Sequence, residues 1–212
     1  MVLGMADEGL RARKKARTRE EIASTAARLF GRHGYENVAI VDIAAAVGVS
    51  QQTVYNYFPT KRDLVLDRDA ALRERFVACI RERGPHISPA ASVRDEAMAL
   101  VESIRSIPRE ELIGSLGYLT AVSPAIRRLS LEMTDRLADA IAAAIGETTS
   151  GMPSALVKVH AIALAWVSQT VIDEGGRRLE VGQDPDRVAD ELEPVIAAII
   201  DDLDRWFAAG IA

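Results

Sequence analysis

Between Ser50 and Lys61 the chain sets out a run of side chains able to bond a nucleic acid. Gln51 and Gln52 carry amides that donate and accept at once, the pairing an adenine edge offers in the major groove. Thr53 presents a hydroxyl to phosphate or a methyl to thymine, and Tyr55 and Lys61 carry donors suited to phosphate oxygens. Ser50, Asn56 and Tyr57 complete the group, and Thr18 and Arg19 join it from upstream. Catalysis finds no comparable foothold. His33, His86 and His160 lie far apart with no metal-ligand spacing, and no nucleophile–base grouping stands out. Gly114–Gly117 fits neither glycine-rich nucleotide pattern. No enzyme, cofactor or metal site is expected.

The donors need a scaffold, and the segment IVDIAAAVGVSQQTVYNYF provides one. Ile43, Val47, Val49, Val54 and Tyr57 are spaced to form a small core between two helices meeting steeply. Ala44 is small where the second helix passes closely. Gly48 stands where the turn needs a left-handed backbone, and Ser50 is a good N-cap. This pattern predicts a helix-turn-helix whose second helix enters the major groove by its N-terminal end. A glycine-turned helical hairpin can also be a plain packing unit, so the motif alone leaves both open.

Apolar spacing predicts helices throughout. Ile22, Ala26, Leu29 and Phe30 mark a first helix, with Thr18 and Glu21 in capping-box spacing before it and Gly34 after. A long helix is expected over Lys61–Arg83, then another carrying Val93, Ala97, Leu100, Val101 and Ile104, and a shorter apolar segment over Leu112–Val122. Ile126, Leu129, Met133, Leu137, Ile141 and Ala144 trace one face of a further helix. After Pro153 the chain is apolar nearly all round from Leu156 to Ile172, and such a helix must be covered on every face. Val195, Ile199, Leu203, Trp206 and Phe207 stripe the last helix, with Pro194 expected to break or kink it. Arg177–Asp186 is the expected mobile loop. The fold class is therefore all-α, with about nine helices.

Net charge is −5, but it is unevenly spread. Residues 1–62 hold ten Lys/Arg and six Asp/Glu, a balance of +4, whereas residues 63–212 hold sixteen and twenty-five, a balance of −9. A basic head on an acidic body suits a molecule whose one end meets phosphates, although five of the cations fall in Arg11–Arg17 and also suit a solvated tail. The single cysteine, Cys79, allows no internal disulfide and fits a reducing cytoplasm. The first fifteen residues lack the apolar core of a secretory signal. The most apolar stretch, Val159–Ile172, is 14 residues long, shorter than the roughly 20 of a spanning helix, so no membrane role is expected.

Residues 18–66 resemble, in order and without gaps, the N-terminal domain of the TetR/AcrR family of transcription regulators. The resemblance rests on Arg19, Ile22, Ala26, Phe30, Gly34, Tyr35, Asp42-Ile43-Ala44, Gly48-Val49-Ser50, Thr53, Tyr55, Tyr57-Phe58 and Lys61. It implies a three-helix DNA-binding head, here residues 1–62 with 1–16 disordered, and a helical ligand-binding and dimerisation body, residues 63–212. It implies backbone contacts from Thr53, Tyr55 and Lys61, with Gln51 and Gln52 facing bases. Ala39 departs from it: the family often has threonine at the start of its second helix, so one phosphate-bonding hydroxyl is missing.

Beyond residue 66 the resemblance gives helix number and length only. The expected partners are a palindromic double-stranded operator, a second copy of the chain, and a small, largely apolar effector that releases the DNA. Candidate effector contacts are Glu102, Arg105, Tyr118, Met133, His160, Trp166 and Gln169. Arg105, if it faces inward, would anchor an amphipathic acid; the alternative readings are an exposed Arg105, a hydrogen-bonded core or interface His160 and a gap-filling Met133. Leu156, Ala163, Val167, Val195, Ile199 and Trp206 are the expected dimer contacts.

Overall fold

The computed structural model describes residues 3–67 and 69–209, with side chains from Arg11 onward. Its first helix, α1 (Leu3–His33), begins well upstream of the predicted cap at Thr18. Leu10–Arg17 is built of leucine, alanine, arginine and lysine, all good helix formers, so nothing halts the helix there. The disorder expected of residues 1–16 is corrected from Leu3 onward; Met1 and Val2 lie outside the described residues.

The next two helices, α2 (Ile40–Val47) and α3 (Gln51–Tyr57), fold back on α1 around a core of Ile22, Ala26, Phe30, Ile43, Val54 and Phe58. That core does not stop at the head. Leu119 and Ile126, from α8 (Leu116–Val122) and α9 (Pro124–Thr148), are buried in the same cluster.

The long helix predicted over Lys61–Arg83 is two helices, α4 (Lys61–Val65) and α5 (Asp69–Glu82). Polar anchoring explains the break. Asp67 is drawn to Arg19 Nε at 2.7 Å, and buried Asp69 accepts from Arg73 at 2.8 Å and Arg136 at 3.0 Å. Then come α6 (Pro89–Ser92), α7 (Arg94–Arg105), a 3-10 turn at Leu112–Gly114, α8, α9, α10 (Ser154–Glu180) and α11 (Pro185–Ala209). Among the described residues the helix total is thus eleven and there is no strand; the excess over nine is made by the short helices α4 and α6.

Two cores fill the body. Phe76, Ile80, Leu137, Ile141 and Leu164 join α5, α9 and α10; Val101, Ile104, Val171, Leu192 and Ile196 join α7, α10 and α11. Each such side chain, fully buried, contributes about 1.5–3 kcal/mol. In two places backbones touch directly. A methyl built on Gly176 of α10 would stand 1.9 Å from the Gly117 carbonyl oxygen of α8, and one on Gly31 of α1 would stand 2.0 Å from the Ile113 oxygen.

Two further expectations are corrected. The mobile loop over Arg177–Asp186 shrinks to residues 181–184, because α10 runs to Glu180 and the turn is closed by Gly182 at φ +81° and by the Gln183 N–H bonding Arg178 O at 3.0 Å. Of the break or kink expected at Pro194, the break is corrected: the last helix continues through it. α10 is long and apolar enough to cross a membrane by length and composition, yet half of its most apolar window is buried in this fold, as in a core helix.

Candidate nucleic-acid interface

The turn before α3 is held by three devices. Asp42 accepts the Ala39 N–H at 2.8 Å and starts α2 without the missing threonine. Gly48 takes φ +75°, ψ 32°, a conformation that would strain a residue with a Cβ. Ser50 Oγ accepts the Thr53 N–H at 3.0 Å and caps α3. Buried Val54 then fixes which way α3 faces. Gln51, Gln52, Tyr55 and Asn56 are left exposed on the opposite side, and Gln52 Nε2 donates to Asn56 Oδ1 at 3.1 Å, so the two amides are ordered before any partner arrives.

The other candidates divide. Lys61 sits at the start of α4, 4.3 Å from the Tyr35 ring centroid, and donates to Tyr35 O. Burial lowers its amine from the usual lysine value, and the nearby Glu36 opposes that shift. Arg19 is occupied within the head: besides Asp67, it donates to Tyr57 O at 3.0 Å and lies over the Phe58 ring at 4.4 Å. Its guanidinium clamps α1 to the end of α3 while its side chain stays 45% exposed. Thr18 and Tyr57 are half-buried, Tyr57 against the head core.

The effector candidates do not converge. Arg105 bonds Glu102 at 2.9 Å, Asp190 Oδ1 at 2.7 Å and Asp186 O at 3.0 Å, so it ties α7 to α11 and is no pocket anchor. Glu102 is exposed beside it and Tyr118 is half-buried on α8. His160 is buried; its Nδ1 bonds Leu156 O at 2.9 Å and its ring stacks on Trp206 at 3.9 Å, so it packs α10 against α11. Trp166 is 43% exposed on the outer face of α10, a correction to its placement in a pocket.

Glu102 lines an open groove of about 310 Å³ with Asp95, Met98, Val101 and Glu193, whereas Met133 and Gln169 lie near a second, smaller space. Gln169 is wholly buried, and its Oε1 accepts from Ser130 at 2.9 Å and Thr134 at 2.8 Å. Beside them α5, α9 and α10 leave a slit of about 10 Å³, room for one water, walled by Leu72, Met133, Leu137 and Ile172 and by Asp69, Arg73, Ser130, Thr134 and Ser168. The sequence did carry a signal for this polar lining: Ser130 and Thr134 interrupt the apolar stripe of α9 four residues apart.

The expected dimer contacts split by face. Val195 and Trp206 are 47% and 39% exposed, and Leu156, Ala163 and Ile199 are half-buried on the same side. Val167 is buried in this chain's own core, a correction. Val159, Ile162 and Trp166 extend the exposed stripe in its place.

Residues 22–67 match the sequence profile of the bacterial regulatory proteins of the tetR family. The HTH-type transcriptional regulator TcmR of Streptomyces glaucescens is 32% identical over 146 residues, 65% of each chain, so the alignment spans just under two thirds of that protein. The head of this chain is that of the tetR family. That family comprises regulatory proteins and not enzymes. RutR of Escherichia coli O157:H7 is 21% identical over 160 residues, 76% of each chain. Among solved structures, NalD of Pseudomonas aeruginosa, the secondary repressor of the MexAB-OprM multidrug efflux pump, is similar with a TM-score of 0.52 at 18% identity, over 88% of this chain and 96% of that one. The similarity in fold thus extends over the body as well as the head.

Proposed function

We propose that this chain is a homodimeric, cytoplasmic, DNA-binding transcription regulator whose α3 helices enter successive major grooves of a palindromic operator. Residues 1–62 act as the DNA-binding head and residues 63–212 as the body that dimerises and answers to a small molecule. The observation that carries the proposal is the capped start of α3, with Gln51, Gln52, Tyr55 and Asn56 exposed on one side of a helix locked by Val54. A two-fold axis would space the two α3 helices about 34–36 Å apart, one turn of DNA. The exposed apolar stripe on α10 and α11 supports that axis, because a monomer would leave it in water.

The effector site is the slit between α5, α9 and α10, opened by a ligand. Its walls suit a molecule with an apolar body and a hydrogen-bonding end that meets Ser130, Thr134, Ser168 and the Asp69–Arg73 pair. Release of DNA requires that the effector bind one spacing of the heads more tightly than the other.

Selection from random duplexes tests the DNA function: a palindrome is expected to be enriched, and enrichment of no sequence overturns it. Gln52→Ala should relax one base position at a loss of about 1–3 kcal/mol, while Tyr55→Phe weakens all sequences alike. For the effector, release of a preformed complex by an amphipathic compound should be unchanged in Arg105→Ala and impaired in Thr134→Val. The reverse pattern would return the anchor to Arg105.

A further inference from the structure

α1 is much longer than the head needs. Its first buried side chain among those described, from Arg11 onward, is Ile22, so residues 11–17 run free of the core. Arg11, Ala12, Arg13, Lys14, Lys15, Ala16 and Arg17 are all exposed, five cations in seven residues with no acid among them. Leu3–Arg17 as helix is about 22 Å long at 1.5 Å per residue. Its exit point is fixed: Arg19 bonds Tyr57 O and Asp67, so the extension leaves the head beside the C-terminal end of α3.

The body treats its cations differently. Arg75 pairs with Glu96 at 2.7 Å, Arg127 with Asp173 at 2.7 Å and Arg187 with Glu191 at 2.8 Å, each neutralised on the surface. Among the described residues Arg13, Lys14, Lys15 and Arg17 enter no ion pair. Arg13 and Arg17 stand one helical turn apart with like charge, which weakens an isolated helix until an anion lies alongside. The cations point to every side of the helix, and no large apolar residue breaks the run. A lipid surface calls for an apolar face, which residues 11–17 lack. A phosphate backbone calls only for positive charge within reach.

We propose that this extension of α1 is a second DNA-binding element, laid along the phosphates that flank each half-site without reading bases. It rests on the DNA-binding function proposed above and adds length and salt dependence to it. The test compares the full chain with the fourfold variant Arg13→Gln, Lys14→Gln, Lys15→Gln, Arg17→Gln on the duplex the wild type selects, extended by flanking pairs. The logarithm of affinity against the logarithm of salt should become shallower by about 0.9 for each phosphate that the variant no longer neutralises. The footprint should shorten at both ends while the preferred sequence stays the same. Arg13→Lys with Arg17→Lys keeps the charge and should keep the wild-type slope.

An unchanged slope and footprint in the fourfold variant would overturn the proposal, as would weakened binding confined to vesicles of anionic phospholipid. If the wild type selects no duplex, it is the DNA-binding function itself that fails.

Discussion

α10 has two faces that solve opposite problems. On the side toward α8 the helices meet backbone to backbone, with no space for a methyl at Gly176. On the outer side Val159, Ile162 and Trp166 stand in the open, as do Val195 and Trp206 of α11. A helix that is apolar all round can be complete on one face and unfinished on the other. The inner face is set by shape and tolerates no added volume. The outer face is set by hydrophobicity alone, and the proposed dimer would bury it against the same stripe of a second copy.

Charging the open face should have the largest effect. Ile162→Glu should leave the monomer folded, with unchanged helical circular dichroism, and raise the dimer dissociation constant at least a hundredfold, about 3 kcal/mol. Light scattering reads the outcome. A wild type that is monomeric at micromolar concentration, or an Ile162→Glu chain that stays dimeric, would remove the partner from the account.

Charging the outside should separate assembly from folding, and filling the inside should do the reverse. Gly176→Ala puts a methyl where the neighbour is backbone and cannot rotate away. A loss of about 1–3 kcal/mol in a urea titration is expected. A variant as stable as wild type would mean that α8 and α10 part without cost.

How much of this was legible in the sequence follows from how local each signal is. The head was legible because its determinants lie close together: Gly48, Ser50 and Val54 fix turn, cap and facing within seven residues. The internal bonds of Arg19 were not legible because its partners, Tyr57 and Asp67, lie 38 and 48 residues away. Arg105 was misplaced for the same reason, with Asp190 at a separation of 85. Trp166 and Val167 exchanged sides because periodicity sets the facing of a helix only when one face is polar, and α10 offers no such contrast.

Those two neighbours allow a finer cut. Val167→Ala empties space in the core shared by α7, α10 and α11 and should cost the monomer about 1.5 kcal/mol. Trp166→Ala removes more surface one residue away, yet should weaken the dimer and leave the stability of a dissociated chain unchanged. Urea titrations in an Ile162→Glu background, where assembly no longer contributes, read the two separately. Equal losses would mean that Trp166 also packs within its own chain.

The smallest expected effect has the opposite sign. Gly146 lies within α9, exposed, and a methyl there would meet nothing within 4 Å. Alanine at that position narrows the unfolded chain's freedom and favours helix, so Gly146→Ala should stabilise by about 0.4–1 kcal/mol. The same replacement at Gly176 adds the same atoms and gains the same chain-entropy benefit. The difference between the two variants therefore isolates the overlap with the Gly117 carbonyl. If Gly146→Ala and Gly176→Ala shift the urea midpoint equally, the inner face of α10 is no tighter than open helix surface, and its contrast with the outer face is lost.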